Sequence, residues 1–270
     1  MKHYQGLIKY FLIFIFVGVS LSIQAGSKSD LAKEKRWETQ IADSLLVGEA
    51  IKLKTKDAEF LALYAEPEGE KVKGAVIMIH GIGVHPAWPD VINPLRIQLP
   101  EMGWHTLSIQ MPVLANEASD KDYVPLFQEV PSRIQAGVDF LKRKSIKNIV
   151  IAGHSLGATM ASYYLATKHD AAVKTYVIIS GGMGATNYEH THIHGNLKKM
   201  PNINIVDIFG SEDHPRVMKY LKKRKSFFRK AQIKKYSTLR IQGANHFYRD
   251  KNDLLVEKLN IKLKKISHTD

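Results

Sequence analysis

Ile149-Val150-Ile151-Ala152-Gly153-His154-Ser155-Leu156-Gly157-Ala158-Thr159-Met160 is the stretch on which the fold turns. Its first four residues form a continuous apolar run, as a strand buried on both faces requires. Residues 156–168 are rich in Ala, Leu and Met and read as a helix. Between the two, Gly153-His154-Ser155-Leu156-Gly157 places a serine on a tight strand-to-helix turn. Gly-x-Ser-x-Gly alone is weak, since it arises by chance in roughly one chain in ten of this length. The flanking strand and helix make it far more specific. Glycines without a Cβ let strand and helix approach closely, and the serine hydroxyl is projected outward.

Working outward, strand and helix patterns alternate. Residues 50–54 and 59–64 alternate apolar with polar, as half-buried antiparallel strands do, and Pro67-Glu68-Gly69 marks a turn. Ala75-Val76-Ile77-Met78-Ile79 is another buried run. Strands are expected at 104–111, 176–179, 203–209 and 238–241. Helices are expected around Ile134, Val138 and Leu141, over 215–231, and over 253–266, where Leu255, Leu259, Leu263 and Ile266 form one stripe. Such alternation implies an α/β fold, a mostly parallel twisted sheet with helices on both faces. The irregular segments 113–130 and 181–201 are too short for a large lid domain and are expected to shape the binding pocket.

A serine hydroxyl is a poor nucleophile at neutral pH, so a base must take its proton. Two later loops supply partners in the order Ser, acid, His. The strand 203–209 runs into Gly210-Ser211-Glu212-Asp213, and the strand at 238–241 into Gln242-Gly243-Ala244-Asn245-His246. Asp213 would hold the imidazole of His246 in the correct tautomer, and His246 would act as general base and then general acid. Glu212 could replace Asp213, and Asp213 could instead cap the following helix ahead of Pro215. Asp207, within a strand, is expected to point into a sheet or helix layer, and His214 to lie at the surface or in the pocket lining. An acyl-transfer site also needs donors for a developing oxyanion. The backbone N–H groups of Leu156 and Ile82 are the candidates, while His80 at the end of its strand reads as structural.

Together, Met78-Ile79-His80-Gly81-Ile82-Gly83, Gly153-His154-Ser155-Leu156-Gly157, Gly210-Ser211-Glu212-Asp213 and Gly243-Ala244-Asn245-His246 resemble the α/β-hydrolase superfamily over about residues 47–266. Within it, the chain is similar to a group of exported bacterial proteins classed only as a domain of unknown function. The resemblance implies esterase-like or other hydrolase chemistry, without naming a substrate. The short segment where many relatives carry a large lid argues against an interfacially activated lipase.

The ends and the composition add the setting. Lys2 and Lys9 precede or flank an apolar run over 11–19, followed by small residues at Ala25-Gly26. That order reads as a signal peptide over 1–25, and the run is shorter than the roughly 20 residues that span a bilayer. A periplasmic or secreted location follows; because Ile23 imperfectly fits the cleavage site, an uncleaved inner-membrane anchor facing the periplasm is the alternative. Residues 26–46 read as a polar arm and 47–270 as the hydrolase domain. With no cysteine, disulfides and cysteine-ligated metals are excluded. The formal net charge is +13, or +11 without Lys2 and Lys9, and residues 216–235 hold ten Lys or Arg and no Asp or Glu. That stretch is either a solvated helix or a surface for an anionic membrane or envelope polymer. Nucleic acid is not expected, as no zinc-finger or RNP-type pattern accompanies the charge.

The expected reaction is cleavage of a small or medium carboxylic ester through an acyl-enzyme, with no cofactor and no metal. His190, His192 and His194 alternate, and on an extended segment would point the same way as metal ligands do. His85 lies in another loop, and no carboxylate–histidine spacing of a catalytic metal site accompanies them, so a polar pocket-side loop is the reading taken. The alternative from a different class is a non-catalytic envelope binding or assembly module that uses the basic 216–235 surface.

Overall fold

Eight apolar or alternating segments pair into one sheet. A computed structural model describes residues 28–168, 170–182, 188–231 and 235–267; the signal peptide expected over 1–25 lies outside them. The strands are β1 (Glu49–Lys54), β2 (Glu59–Ala65), β3 (Gly74–Ile79), β4 (Trp104–Ile109), β5 (Ile149–His154), β6 (Val173–Ile179), β7 (Asn204–Gly210) and β8 (Tyr236–Ile241). Their order is β1-β2-β4-β3-β5-β6-β7-β8, with β2 antiparallel to both neighbours and every later pair parallel. The helices are α1 (Leu31–Ala42), α2 (Ile92–Gln98), α3 (Val130–Arg143), α4 (Leu156–Thr167), α5 (Ile193–Asn196), α6 (Pro215–Lys230) and α7 (Asn252–Ser267).

Side chains that alternate along a strand face opposite sides, so each strand feeds two cores. Ile77, Ile79, Ile151 and Ile178 pack under α3, α4 and α6, through Ile134, Val138, Ala161 and Phe228. Val76, Met78, Val150 and Val177 pack under α2 and α7, through Leu95, Leu255, Leu259 and Leu263. Burying one such aliphatic side chain contributes about 1.5–3 kcal/mol, so these two layers carry most of the stability. Helix α2 has no counterpart in the sequence reading. Among the described residues no helix is long and apolar enough to cross a membrane.

The polar arm is a helix that locks into the fold. Asp30 caps α1 by accepting from Lys33 N–H. The N–H of Lys28 donates to Glu129 at 2.6 Å, and the Ser29 hydroxyl oxygen accepts from Val113 N–H at 2.7 Å. Glu34, buried, accepts from Arg133 of α3 at 2.8 Å and from Ser29. Burial still raises the Glu34 pKa, outweighing the Arg133 cation that lowers it. On the outer face of β2, Trp37 of α1 packs beside Leu61 and Leu63.

Candidate active site

Four consecutive strands deliver the site. In register, Ile79 lies beside Gly153 and His154 beside Ile179, so β5 ends between β3 and β6. Ser155 follows β5, Ser180 follows β6, Asp213 follows β7 and His246 follows β8. All four therefore meet at the carboxyl ends of the parallel strands, where such sheets bind ligands.

The elbow around Ser155 is strained in the way its motif requires. Ser155 has φ 55° and ψ −118°, a conformation costing on the order of 1–3 kcal/mol for a residue with a Cβ. A Cβ on Gly153 would fall within 3.0 Å of the backbone of Gly157 and Ala158, and one on Gly157 would do the same at Ile79 and His80. Both glycines let α4 rest directly on the ends of β5 and β3. Gly81 passes against the serine as well, since its Cβ would lie 3.4 Å from the Ser155 Cβ.

Ser155 Oγ lies 3.1 Å from Nε2 of His246, and His246 Nδ1 lies 2.9 Å from Oδ1 of Asp213. Because ionised Asp213 can only accept, Nδ1 carries the proton and Nε2 is free to accept from Ser155. Asp213 is not the cap of α6: the ring of His214 accepts from Arg216 N–H at 3.1 Å, and Asp213 accepts from His214 N–H at 2.8 Å. Burial pushes the Asp213 pKa up, but donors from His246, Ser180 and His214 outweigh it and hold the carboxyl below its ordinary range. Glu212 is exposed and takes no part. Asp207 is fully buried in β7 and pairs with Arg224.

The loop after β3 brings Ile82 to the cleft beside Ser155. Leu156 opens α4, so its N–H is among those a helix leaves without an intrahelical partner. His80 shapes this loop. Its Nδ1–H donates to Gly81 O at 2.8 Å, and Nε2 accepts from Met111 N–H at 2.9 Å. Burial drives its pKa down to about 3, which keeps the ring neutral. His154 donates from Nε2 to the carbonyl of His246 at 3.0 Å, fixing the loop that carries the base; burial lowers its pKa to about 4.

Around these groups lies a cleft of about 250 Å³ walled by Ile82, Val84, Trp88 and Phe247, with His214 at its edge. His85 does not enter it; its ring packs between Trp37 and Trp88, centroids 5.2 and 5.7 Å away. A larger cleft of about 770 Å³ sits at the amino ends of the strands beside Lys73, Asn148 and Lys174, far from any nucleophile–base pair described here. Size alone does not make it the reactive site.

The three alternating histidines do not gather at one point, although the rings of His192 and His194 lie 5.4 Å apart. Residues 189–191 and 193–196 form short helical turns rather than an extended segment. His190 packs on Phe127 and Tyr163, whereas His192 and His194 face Tyr220. Sequence reasoning missed Ser180 and Tyr248: Ser180 donates to Asp213 Oδ2, and Tyr248 lies 2.9 Å from Ser180. Tyr248 lies only two residues past His246, but nothing in the sequence links it to Ser180, 68 residues away.

A family model described as protein of unknown function (DUF3530) matches the chain over residues 24–125 and 115–259. The chain belongs to the DUF3530 family. No curated protein matches its sequence. The DUF3530 fold is similar to that of Est1E from Butyrivibrio proteoclasticus, with TM-score 0.62 at 17% identity over 82% of this chain and 99% of that one. An α/β serine hydrolase homologue from Coxiella burnetii gives 0.61 at 19% identity, covering 81% and 99%. XC6422 from Xanthomonas campestris, described as an α/β serine hydrolase without lid, gives 0.60 at 14% identity, covering 81% and 94%. This DUF3530 chain thus has the α/β-hydrolase fold, and like XC6422 it carries no large lid domain.

Proposed function

We propose that the protein is a serine hydrolase that cleaves a small or medium carboxylic ester through an acyl-enzyme on Ser155. The observation that carries this reading is the unbroken chain from Ser155 Oγ to His246 Nε2 (3.1 Å) and from His246 Nδ1 to Asp213 (2.9 Å). In the proposed reaction His246 takes the hydroxyl proton as Ser155 Oγ bonds to the ester carbonyl carbon. The N–H groups of Leu156 and Ile82 hold the oxyanion. Asp213 stabilises the imidazolium, which then protonates the leaving alcohol. Water attacks the acyl-enzyme with His246 again as base, releasing the acid and restoring Ser155.

The apolar walls of the cleft favour an uncharged acyl group of modest size. The similar fold of Est1E, one structure of which has ferulic acid bound, lends support to ester chemistry. A fluorophosphonate probe is expected to label the wild type and not Ser155→Ala, with an ester chain-length series defining the acyl group. Equal labelling of both would overturn the assignment.

The hydrophobic segment over 11–19 supports an exported enzyme, with the uncleaved anchor as the alternative; the amino-terminal sequence of the mature protein distinguishes them. A second reading concerns the basic stretch. No Asp or Glu occurs between Asp213 and Asp250, and Lys219, Lys222, Lys223, Lys225, Arg229 and Lys230 are exposed along α6. The surface is narrower than the sequence suggested, because Arg224 is buried on Asp207 and Arg216 pairs with Asp120. It suits an anionic membrane surface or envelope polymer, and binding that ignores salt would refute that.

A further inference from the structure

The two oxygens of Asp213 have different partners. Oδ1 accepts from His246 Nδ1 at 2.9 Å and from His214 N–H at 2.8 Å, whereas Oδ2 accepts from the Ser180 hydroxyl and from Gly210 N–H at 3.3 Å. A hydroxyl has one proton, and an ionised carboxylate can only accept. The Ser180 proton therefore points at Asp213. Tyr248 OH, 2.9 Å from Ser180 Oγ, must then donate to it. The result is a directional relay in which Tyr248 donates to Ser180 and Ser180 to Asp213, the carboxylate that also accepts from His246.

The surroundings hold this relay in place. Ser180 and Tyr248 are both fully buried. Both also adopt left-handed backbone, at φ 49° and 55°, a conformation that persists only where its surroundings enforce it. Ser180 is the first residue past β6 and is pinned by its N–H on Ile208 O at 2.9 Å. Tyr248 stands two residues beyond His246, so one loop supplies both the base and the far end of the relay. Its ring is packed against the α2–α7 core, and its hydroxyl reaches Ser180.

Resting on the serine-hydrolase reading, we propose that Ser180 and Tyr248 are positioning residues that aim the Asp213 carboxylate at His246. They touch no substrate. Ser180 fixes the plane of the carboxylate, and Tyr248 acts only through Ser180. The charged or titratable groups facing Asp213 are His246 from the loop after β8, His154 at the end of β5, His214 next in sequence, and Tyr248. Burial keeps the Tyr248 phenol protonated far above neutral pH, so it remains a donor throughout the working range.

The experiment compares wild type, Ser180→Ala, Tyr248→Phe and the double variant on a short-chain 4-nitrophenyl ester across pH. Ser180→Ala is expected to lower kcat about tenfold, the effect of one lost hydrogen bond to a charged group, with KM nearly unchanged. Losing a donor lets Asp213 take up a proton more readily, so the acid limb of kcat/KM should move to higher pH. Tyr248→Phe should give a smaller loss that disappears in the Ser180→Ala background. A Ser180→Ala variant with wild-type kcat and pH profile would overturn the relay. So would a kcat loss with an unmoved acid limb, or an additive double variant. The downfield proton resonance of His246 Nδ1–H gives a readout independent of turnover, and should shift or broaden in both single variants. If fluorophosphonate labelling fails while that resonance responds, the hydrolase reading falls and the relay stands; the reverse pattern refutes the relay alone.

Discussion

Asp207 and Asp213 lie six residues apart along one strand and its following loop, both buried, both paired, and with opposite consequences. Asp207, inside β7, is held by a guanidinium: Arg224 Nε and Nη2 reach its two oxygens at 2.7 and 3.0 Å, and Tyr236 OH adds a third bond at 2.8 Å. Arg224 spends its remaining reach on Gly181 O at 2.9 Å. That cation never gives up its proton, so the pair can only fasten α6 to the sheet. Asp213, past the strand end, faces an imidazole that is 15% exposed and opens onto a cleft. Burial and pairing are common to both. What separates structural from reactive is the partner's ability to exchange a proton and the end of the strand on which the acid sits.

Exchanging each carboxylate for its amide is the most direct way to break this contrast. Asp213→Asn should lower kcat by about 10⁴-fold in the ester assay, because the imidazole is then held in the wrong tautomer. Asp207→Asn should do the reverse, keeping the chemistry and costing about 3–5 kcal/mol in urea unfolding, since Arg224 is left buried without its counter-charge. Comparable kinetic losses in both variants would erase the distinction.

A pH titration sharpens it. His154, beside Asp213, is buried with a pKa of about 4 against an ordinary 6.5. The unfolded chain therefore binds a proton between those values that the folded chain refuses, and stability falls as pH drops from 6.5 towards 4, by about 3 kcal/mol. Below that, protonation of Asp213, whose folded pKa is depressed, removes a further contribution that is present above its unfolded value. Urea midpoints at pH 7 and 4.5 should therefore differ less in His154→Gln than in wild type. Arg224 keeps its proton throughout, so the cation of the other pair adds no slope. The smallest effect belongs to the outer face of the same helix. Lys222→Ala should change unfolding free energy by less than about 0.5 kcal/mol, although it stands two residues from Arg224.

That last contrast also marks what could be read beforehand. The elbow was legible because strand, glycines and helix are contiguous, and Asp213 and His246 because each follows an apolar run that ends in a turn. Arg224 was hidden inside a run of ten cations, yet Val217, Leu221, Arg224 and Phe228 share one helical stripe, all buried. Helical spacing in an otherwise charged segment was the available signal. Glu34 was likewise taken as part of a polar arm, because its partner Arg133 is 99 residues away. The histidine alternation misled for a related reason: period two aligns a whole run of side chains only on extended backbone, and the short helical turns at 189–191 and 193–196 turn His190 away from the neighbouring His192 and His194. Ser180 joins the site only through long-range packing, and Tyr248, although it shares the His246 loop, is tied to it through Ser180, 68 residues away.

The arm itself bears on the order in which the molecule assembles. Ser29 and Glu34 contact Val113 and Arg133 only after the intervening 84 to 99 residues have been arranged, so these bonds close long loops and are expected to form late. Interactions absent from the folding transition state leave the folding rate alone and slow unfolding instead. The first described turn of the chain is in this sense a clasp. Its loosening is expected to speed unfolding of the finished fold rather than to slow its formation.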